Sequence, residues 1–159
     1  MVFISGRLSW LPLYIFLFFI LFINFKRNII YILLSVIILI TISDQLSVIL
    51  FKNMFQRIRP CHEESLQGLV HIVNGTCGGQ FGFISSHSSN TMALSVFVFL
   101  LLRKLTGRIS FLIFLFPLIV SYSRVYLGIH YPGDVICGMF FGGILGYIIA
   151  LLTMRIMPS

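Results

Sequence analysis

The sequence predicts an all-α, polytopic membrane bundle of about five transmembrane helices. Three observations point there. Of 159 residues, 58% are hydrophobic and 9% charged, against about 25% charged residues in soluble domains. The mean hydropathy is +1.06. The charges lie between long uncharged runs, and those runs show no period-two alternation, which argues against strands. A chain of this length holds one bundle, residues 1–159, and no second domain.

The first run extends from Leu8 to Phe25, uncharged between Arg7 and Lys26. It lacks a basic start and a small-residue cleavage site, so it reads as an anchor rather than a signal peptide. The second covers Asn28 to Phe51 and contains one acid, Asp44. The third follows Ser85 and ends before Arg103, and the fifth covers Val135 to Met154. Each suits the 17–25 residues a spanning helix needs. The fourth, Ile109 to Ser123, suits it if the helix continues past Arg124. In the fifth, Gly138, Gly142 and Gly146 recur every fourth residue, a spacing that lets helices approach closely in lipid.

The formal charge of +7 does not indicate nucleic acid, because the cations are few and separated by apolar runs. Anionic headgroups are their natural partner. Lys26, Arg27, Arg103, Lys104, Arg108 and Arg155 fall on one side of a five-span chain, the cytoplasmic one by the positive-inside rule. Arg7, Lys52, Arg57, Arg59 and Arg124 then fall on the opposite side, with the N-terminus. Arg57 reads there as a cation snorkelling to the interface.

Three charged clusters share that second side: "KNMFQRIRP" from Lys52, "ISSHSSN" around His87, and "SRVYLGIHYPGD" from Ser123 to Asp134. They come from different ends of different helices, which converge in a bundle. Lys52, Arg59 and Arg124 supply three cations to a dianion, and guanidinium forks match phosphate oxygens. Backbone N–H groups at the start of the third helix, near Ser85 and Ser86, favour a bound anion. Two histidines supply a nucleophile and an acid. His130 and Asp134 are four apart and share a face if helical. A carboxylate there fixes the imidazole tautomer and stabilises its cation. Asp44, costly inside a spanning helix, reads as a partner for Lys52 or Arg59, or as a hydrogen-bonder between helices.

The pattern K-x6-RP, then a P-S-G-H-like element, then S-R-x5-H-x3-D resembles the type 2 phosphatidic acid phosphatases. These are membrane lipid phosphate phosphatases related to vanadium haloperoxidases and acid phosphatases. The first and third elements are complete. In the second, Ile84 stands where the family usually has proline and Ser86 where it has glycine. The resemblance implies a haloperoxidase-like helical core that works without metal or cofactor through a phosphohistidine. His130 matches the nucleophile, Asp134 its partner, and His87 the acid that protonates the leaving alcohol. Lys52, Arg59, Ser85, Ser86 and Arg124 match phosphate ligands. Family members usually have six spans; five are counted here.

Cys61 and Cys77 bracket the loop that also holds His62, Glu63, Glu64 and His71. A disulfide, a zinc site and free thiols all remain open; a disulfide suits an oxidising outer compartment. It would close a loop of about 15 residues, worth roughly 3 kcal/mol in the chain-entropy model. Cys137 reads as helix packing. "NGT" at Asn74 is a glycosylation sequon by its letters.

The functional expectation is a hydrolase of a lipid phosphate or diphosphate at the outer interface, in a bacterial inner membrane. Its partners are the substrate and membrane lipids. Isoprenoid diphosphate such as undecaprenyl diphosphate is placed first, beside phosphatidic acid, phosphatidylglycerophosphate and lipid A. A lipid phosphotransferase and a non-enzymatic anion transporter are the rivals.

Overall fold

The computed structural model describes all residues except 7, 67, 70, 71, 73–76 and 159. The sequon at Asn74 and the candidate ligand His71 lie outside the described residues. Five apolar helical segments carry the architecture. After a helical turn at Val2–Ser5, α1 is Leu11–Asn24 and α2 is Ile29–Leu46, continued by a π-helical stretch at Ser47–Lys52. α3 is Ser86–Thr106. A 3-10 segment, Gly107–Phe114, leads into α4, Leu115–Tyr126, and α5 is Pro132–Ile156. Among the described residues there is no strand, only an isolated bridge between Ile58 and Phe81.

Helix ends follow local chemistry. Ser85 caps α3, its hydroxyl accepting from the Ser88 N–H, while Arg103 and Lys104 sit in the last turn where the dipole favours cations. Pro132 opens α5, where a missing N–H costs nothing. α4 runs to Tyr126, two residues past Arg124, as a spanning fourth segment requires.

α3 and α5 form the centre of the bundle. A Cβ on Gly138 would lie 2.6 Å from the Ser85 carbonyl oxygen. One on Gly142 or Gly146 would overlap the carbonyls of Ser89 or Ala93. Glycine every fourth residue therefore sets the distance between two backbones. Around this seam, Leu17, Ile32, Leu39, Phe97, Val98 and Ala150 build the buried apolar core.

Hydroxyls join the helices where apolar packing alone would not fix register. Ser43 meets Ser89 at 2.8 Å, Ser47 meets Ser86 at 2.6 Å, and Thr153 donates to Ser35 at 2.8 Å. In lipid each such pair adds about 0.6 kcal/mol on average. The outward face is dominated by large apolar side chains such as Phe19, Ile37, Phe140 and Leu152, all exposed. The protein is an integral membrane protein.

Cations separate the two ends. The α1–α2 turn carries Lys26 and Arg27, and Asn28 there donates to the Pro158 carbonyl at 3.1 Å. The turn and the C-terminal end therefore share one side of the bundle. At the other side the N-terminal turn meets α4: Ser5 accepts a hydrogen bond from Arg124. This is the end where the three charged clusters gather. Cys137 differs from expectation. It lies on the exposed face of α5, because the buried stripe is occupied by Asp134, Gly138, Gly142 and Gly146.

Candidate active site

The cationic side of the site is assembled from three elements. Lys52, at the end of the π-helical stretch, donates to Ser86 Oγ at 2.8 Å. Arg59 is buried beneath the loop that returns to α3. Its Nε donates to the Phe81 carbonyl and its Nη1 to the Cys77 carbonyl, both at 3.2 Å. Burial lowers its pKa and the nearby Asp134 opposes that shift, so the guanidinium keeps its charge. Arg124 reaches inward from the end of α4, with Nε buried and unpartnered.

His130 and Asp134 are both buried. His130 Nδ1 lies 3.6 Å from Asp134 Oδ2, beyond a normal hydrogen bond but directed so that Nε2 remains for chemistry. The pair stands at the expected i,i+4 spacing, though not on one helix. α5 begins only at Pro132, so His130 precedes the helix. Asp134 sits in the first turn and folds back, accepting the Tyr131 N–H at Oδ2 over 3.0 Å. Burial pushes the His130 pKa below its ordinary value; contact with Asp134 partly offsets this, and the fields of Arg59 and Arg124 push it further down. The imidazole is therefore neutral at neutral pH, the state a nucleophile needs.

Sequence reasoning missed two residues here. Arg57 is not merely snorkelling: its Nη1 donates to Asp134 Oδ1 at 2.9 Å, and its guanidinium stands 4.2 Å from the centre of the Tyr131 ring. The available signal was the spacing "RIR". In an extended chain, residues i and i+2 share a face; Arg57 pairs with Asp134 and Arg59 feels its charge. Gly82 packs over the pair. Its Cβ would lie 2.9 Å from Arg59 Cγ, 3.4 Å from Asp134 Oδ2 and 3.5 Å from His130 Nδ1. A lone glycine in a loop gives no such signal.

Of the expected pair of backbone donors, Ser85 has its N–H engaged within the protein. The Ser85 N–H donates to the Asp134 carbonyl at 3.0 Å, and its hydroxyl accepts from Ser88. Ser85 thus ties α3 to α5, while Ser86 carries the hydroxyl that meets Lys52. Cys61 and Cys77 are joined as a disulfide, with Cα atoms 6.0 Å apart. Their donor atoms and that of His62 lie within 4.8 Å of one another. With both sulfurs bonded, the zinc alternative has no thiolate ligands. His62 instead meets the Gly78 carbonyl at 3.2 Å.

His87 stands on the first turn of α3 and lines a cavity of about 600 Å³ between the N-terminal segment, α2, α3 and α4. Asp44 and Asn90 line the same cavity, and Asn90 donates to Asp44 Oδ1 at 3.5 Å. Of the roles open to Asp44, hydrogen bonding between helices is the contact seen.

A family model for the PAP2 superfamily matches residues 29–158. The chain belongs to the PAP2 superfamily. Similar PAP2 proteins include a lipid A 4'-phosphatase of Bacteroides thetaiotaomicron, 36% identical over 155 residues, which cover 96% of this chain and 68% of that one. A lipid A 4'-phosphatase of Porphyromonas gingivalis is 34% identical over 147 residues, 92% of this chain and 61% of that one. The chain thus spans roughly two thirds of these relatives' length. The fold matches the crystal structure of a transmembrane PAP2 type phosphatidylglycerolphosphate phosphatase from Bacillus subtilis. The TM-score is 0.70 at 22% identity, over 96% of this chain and 73% of that one. Membership and relatives together make the chain a membrane phosphatase of the PAP2 superfamily, and the transporter reading lapses.

Proposed function

We propose that the protein hydrolyses a lipid phosphate at the outer face of a bacterial inner membrane through a phosphohistidine at His130. The observation that carries this reading is a buried His130 held beside Asp134, with Arg57, Arg59, Lys52 and Arg124 grouped at the same end of the bundle. Lys52, Arg59, Arg124 and the Ser86 hydroxyl bind the phosphate oxygens. Cations placed where charge develops stabilise the transition state without reorganisation. His130 Nε2 attacks phosphorus while the bond to the lipid oxygen breaks. His87 gives its proton to that oxygen. Water then attacks the phosphohistidine, His87 takes a proton from it, and inorganic phosphate leaves.

Substrate choice rests on the relatives. Two that resemble this chain over nearly its whole length are named for lipid A and its 4'-phosphate. Those names support a phosphorylated glycolipid over the isoprenoid diphosphate, which stood first for a compact chain of bacterial type. Basic turns at the far end support an inward C-terminus and an outward site.

Phosphate release by the purified protein tests the reading. Across a panel of lipid A, phosphatidylglycerophosphate, phosphatidic acid and undecaprenyl diphosphate, whatever turnover is found should survive excess chelator, because Lys52, Arg59 and Arg124 supply the charge a metal would bring. Vanadate should inhibit. Activity lost to chelator and restored by a metal would overturn the metal-free mechanism. Phosphate transferred to an acceptor lipid rather than released would make the protein a transferase.

A further inference from the structure

The cavity beside His87 has two kinds of wall. Val36, Ile40, Leu94, Phe116 and Val120 make one part apolar. Asp44, Gln45 and Asn90 make another part polar, and His87 lines the same space. Its volume of about 600 Å³ is that of an ordinary ligand site. Asp44 lies inside a membrane-spanning segment, Lys26–Phe55, where an acid is costly and marks a functional position. The carboxylate accepts a hydrogen bond from the neutral amide of Asn90, at 3.5 Å, and lies in the field of Lys52. Asn90 follows His87 by one turn of α3 and so shares its face. The Asn90 amide holds one oxygen of the carboxylate. The cavity therefore presents an anionic acceptor, Asp44, on the side from which His87 would protonate a leaving group.

We infer that Asp44, held by Asn90, recognises the leaving group, accepting a hydrogen bond from a hydroxyl beside the scissile ester and excluding a second phosphate. The inference rests on the phosphatase reading above and narrows its substrate class. The substrates are phosphomonoesters on hydroxyl-bearing headgroups, a sugar or a glycerol, with the adjoining acyl chain against the apolar wall. An isoprenoid diphosphate is disfavoured twice. Its leaving group is itself an anion, repelled by Asp44, and it carries no hydroxyl for the carboxylate. Asp44 is a specificity residue and takes no part in bond making or breaking.

The test uses the full chain in detergent micelles and three probes: 1-acyl lysophosphatidic acid, its 2-deoxy analogue, and farnesyl diphosphate. The first two differ by a single hydroxyl next to the phosphoester carbon. For each protein, kcat/KM is divided by that for nitrophenyl phosphate in the same preparation, so that loss of folded material cancels. The wild type should prefer the hydroxyl-bearing probe over its deoxy analogue by about 10- to 100-fold, the worth of a hydrogen bond to a charged group. It should disfavour farnesyl diphosphate. Asp44→Asn should reduce the hydroxyl preference to a few-fold and raise relative turnover of the diphosphate; Asp44→Glu should retain both preferences. A wild type that does not distinguish the matched pair, a measurement independent of any variant's folding, would overturn the inference. So would unchanged ratios in Asp44→Asn. Phosphate release without either preference refutes this inference alone. No release from any probe refutes the phosphatase reading and this inference with it.

Discussion

The N-terminal helix α1 is more apolar in sequence than either α3 or α5, and the α3–α5 pair holds its place by different means. Between α3 and α5 the backbones touch. Gly138, Gly142 and Gly146 lie against Ser85, Ser89 and Ala93, and the Ser85 N–H closes the top of the seam on the Asp134 carbonyl. α1 buries only Leu17 and Leu21, and its Ile15, Phe16 and Phe19 are exposed. The first arrangement specifies position to a fraction of an ångström; the second specifies that a helix is present. Chemistry follows the first: His87 rides on α3, and Asp134 on α5.

The sharpest way to break that contrast is to widen the seam. Gly142→Leu places a side chain where the Ser89 carbonyl already lies, and overpacking of this kind costs about 1–3 kcal/mol or more. Thermal unfolding in micelles should drop by many degrees and phosphatase activity should vanish with it. The matching change on α1, Phe19→Leu, should stay within about 0.5 kcal/mol of wild type. Equal sensitivity of the two sites would remove the distinction.

A smaller effect is expected at Arg57. Arg57→Ala leaves α3 and α5 packed but takes one hydrogen bond and one charge from Asp134. The side chain is 45% exposed, so the loss is screened. A fall in kcat of about tenfold is expected, the low end for a hydrogen bond to a charged group. An unchanged kcat would return Arg57 to the role of an interfacial cation.

The pH profile carries the smallest signal. His130 is held below the ordinary histidine value of 6.5 by burial first, against the raising influence of Asp134. Its neutral form therefore persists below that pH, and the acid limb of kcat/KM should fall there. Removing the raising partner should move the limb lower still, so Asp134→Asn should shift it toward acid while reducing the rate. A limb above pH 6.5 would mean that the carboxylate outweighs burial.

Much of this was legible in the sequence because lipid enforces it. Apolar runs must span, and charges at their ends must face water or a ligand. Five helical segments, and the gathering of "KNMFQRIRP" and "SRVYLGIHYPGD" at one end of them, could be read that way, while the bridge between Cys61 and Cys77 was one of three alternatives the sequence left open. What could not be read depended on chain paths between helices. Arg57 meets Asp134 only because the chain leaves the helix after Phe55 and pairs Ile58 with Phe81. Ser85 loses its N–H to Asp134 only because three glycines bring α5 that close. Gly82 matters for what would collide with it, which a one-letter code does not record.

The most direct test of the central claim separates the two histidines by leaving group. If His130 is the nucleophile, every phosphate passes through its phosphohistidine. If His87 is the acid, it matters only where the leaving oxygen needs a proton. Turnover of a lipid phosphate and of nitrophenyl phosphate should therefore be measured in His130→Ala and His87→Ala. His130→Ala should abolish both reactions. His87→Ala should lose the lipid reaction and keep measurable cleavage of nitrophenyl phosphate, whose phenolate leaves unaided. Nitrophenyl phosphate cleavage that survives in His130→Ala but not in His87→Ala would contradict the account and exchange the two roles.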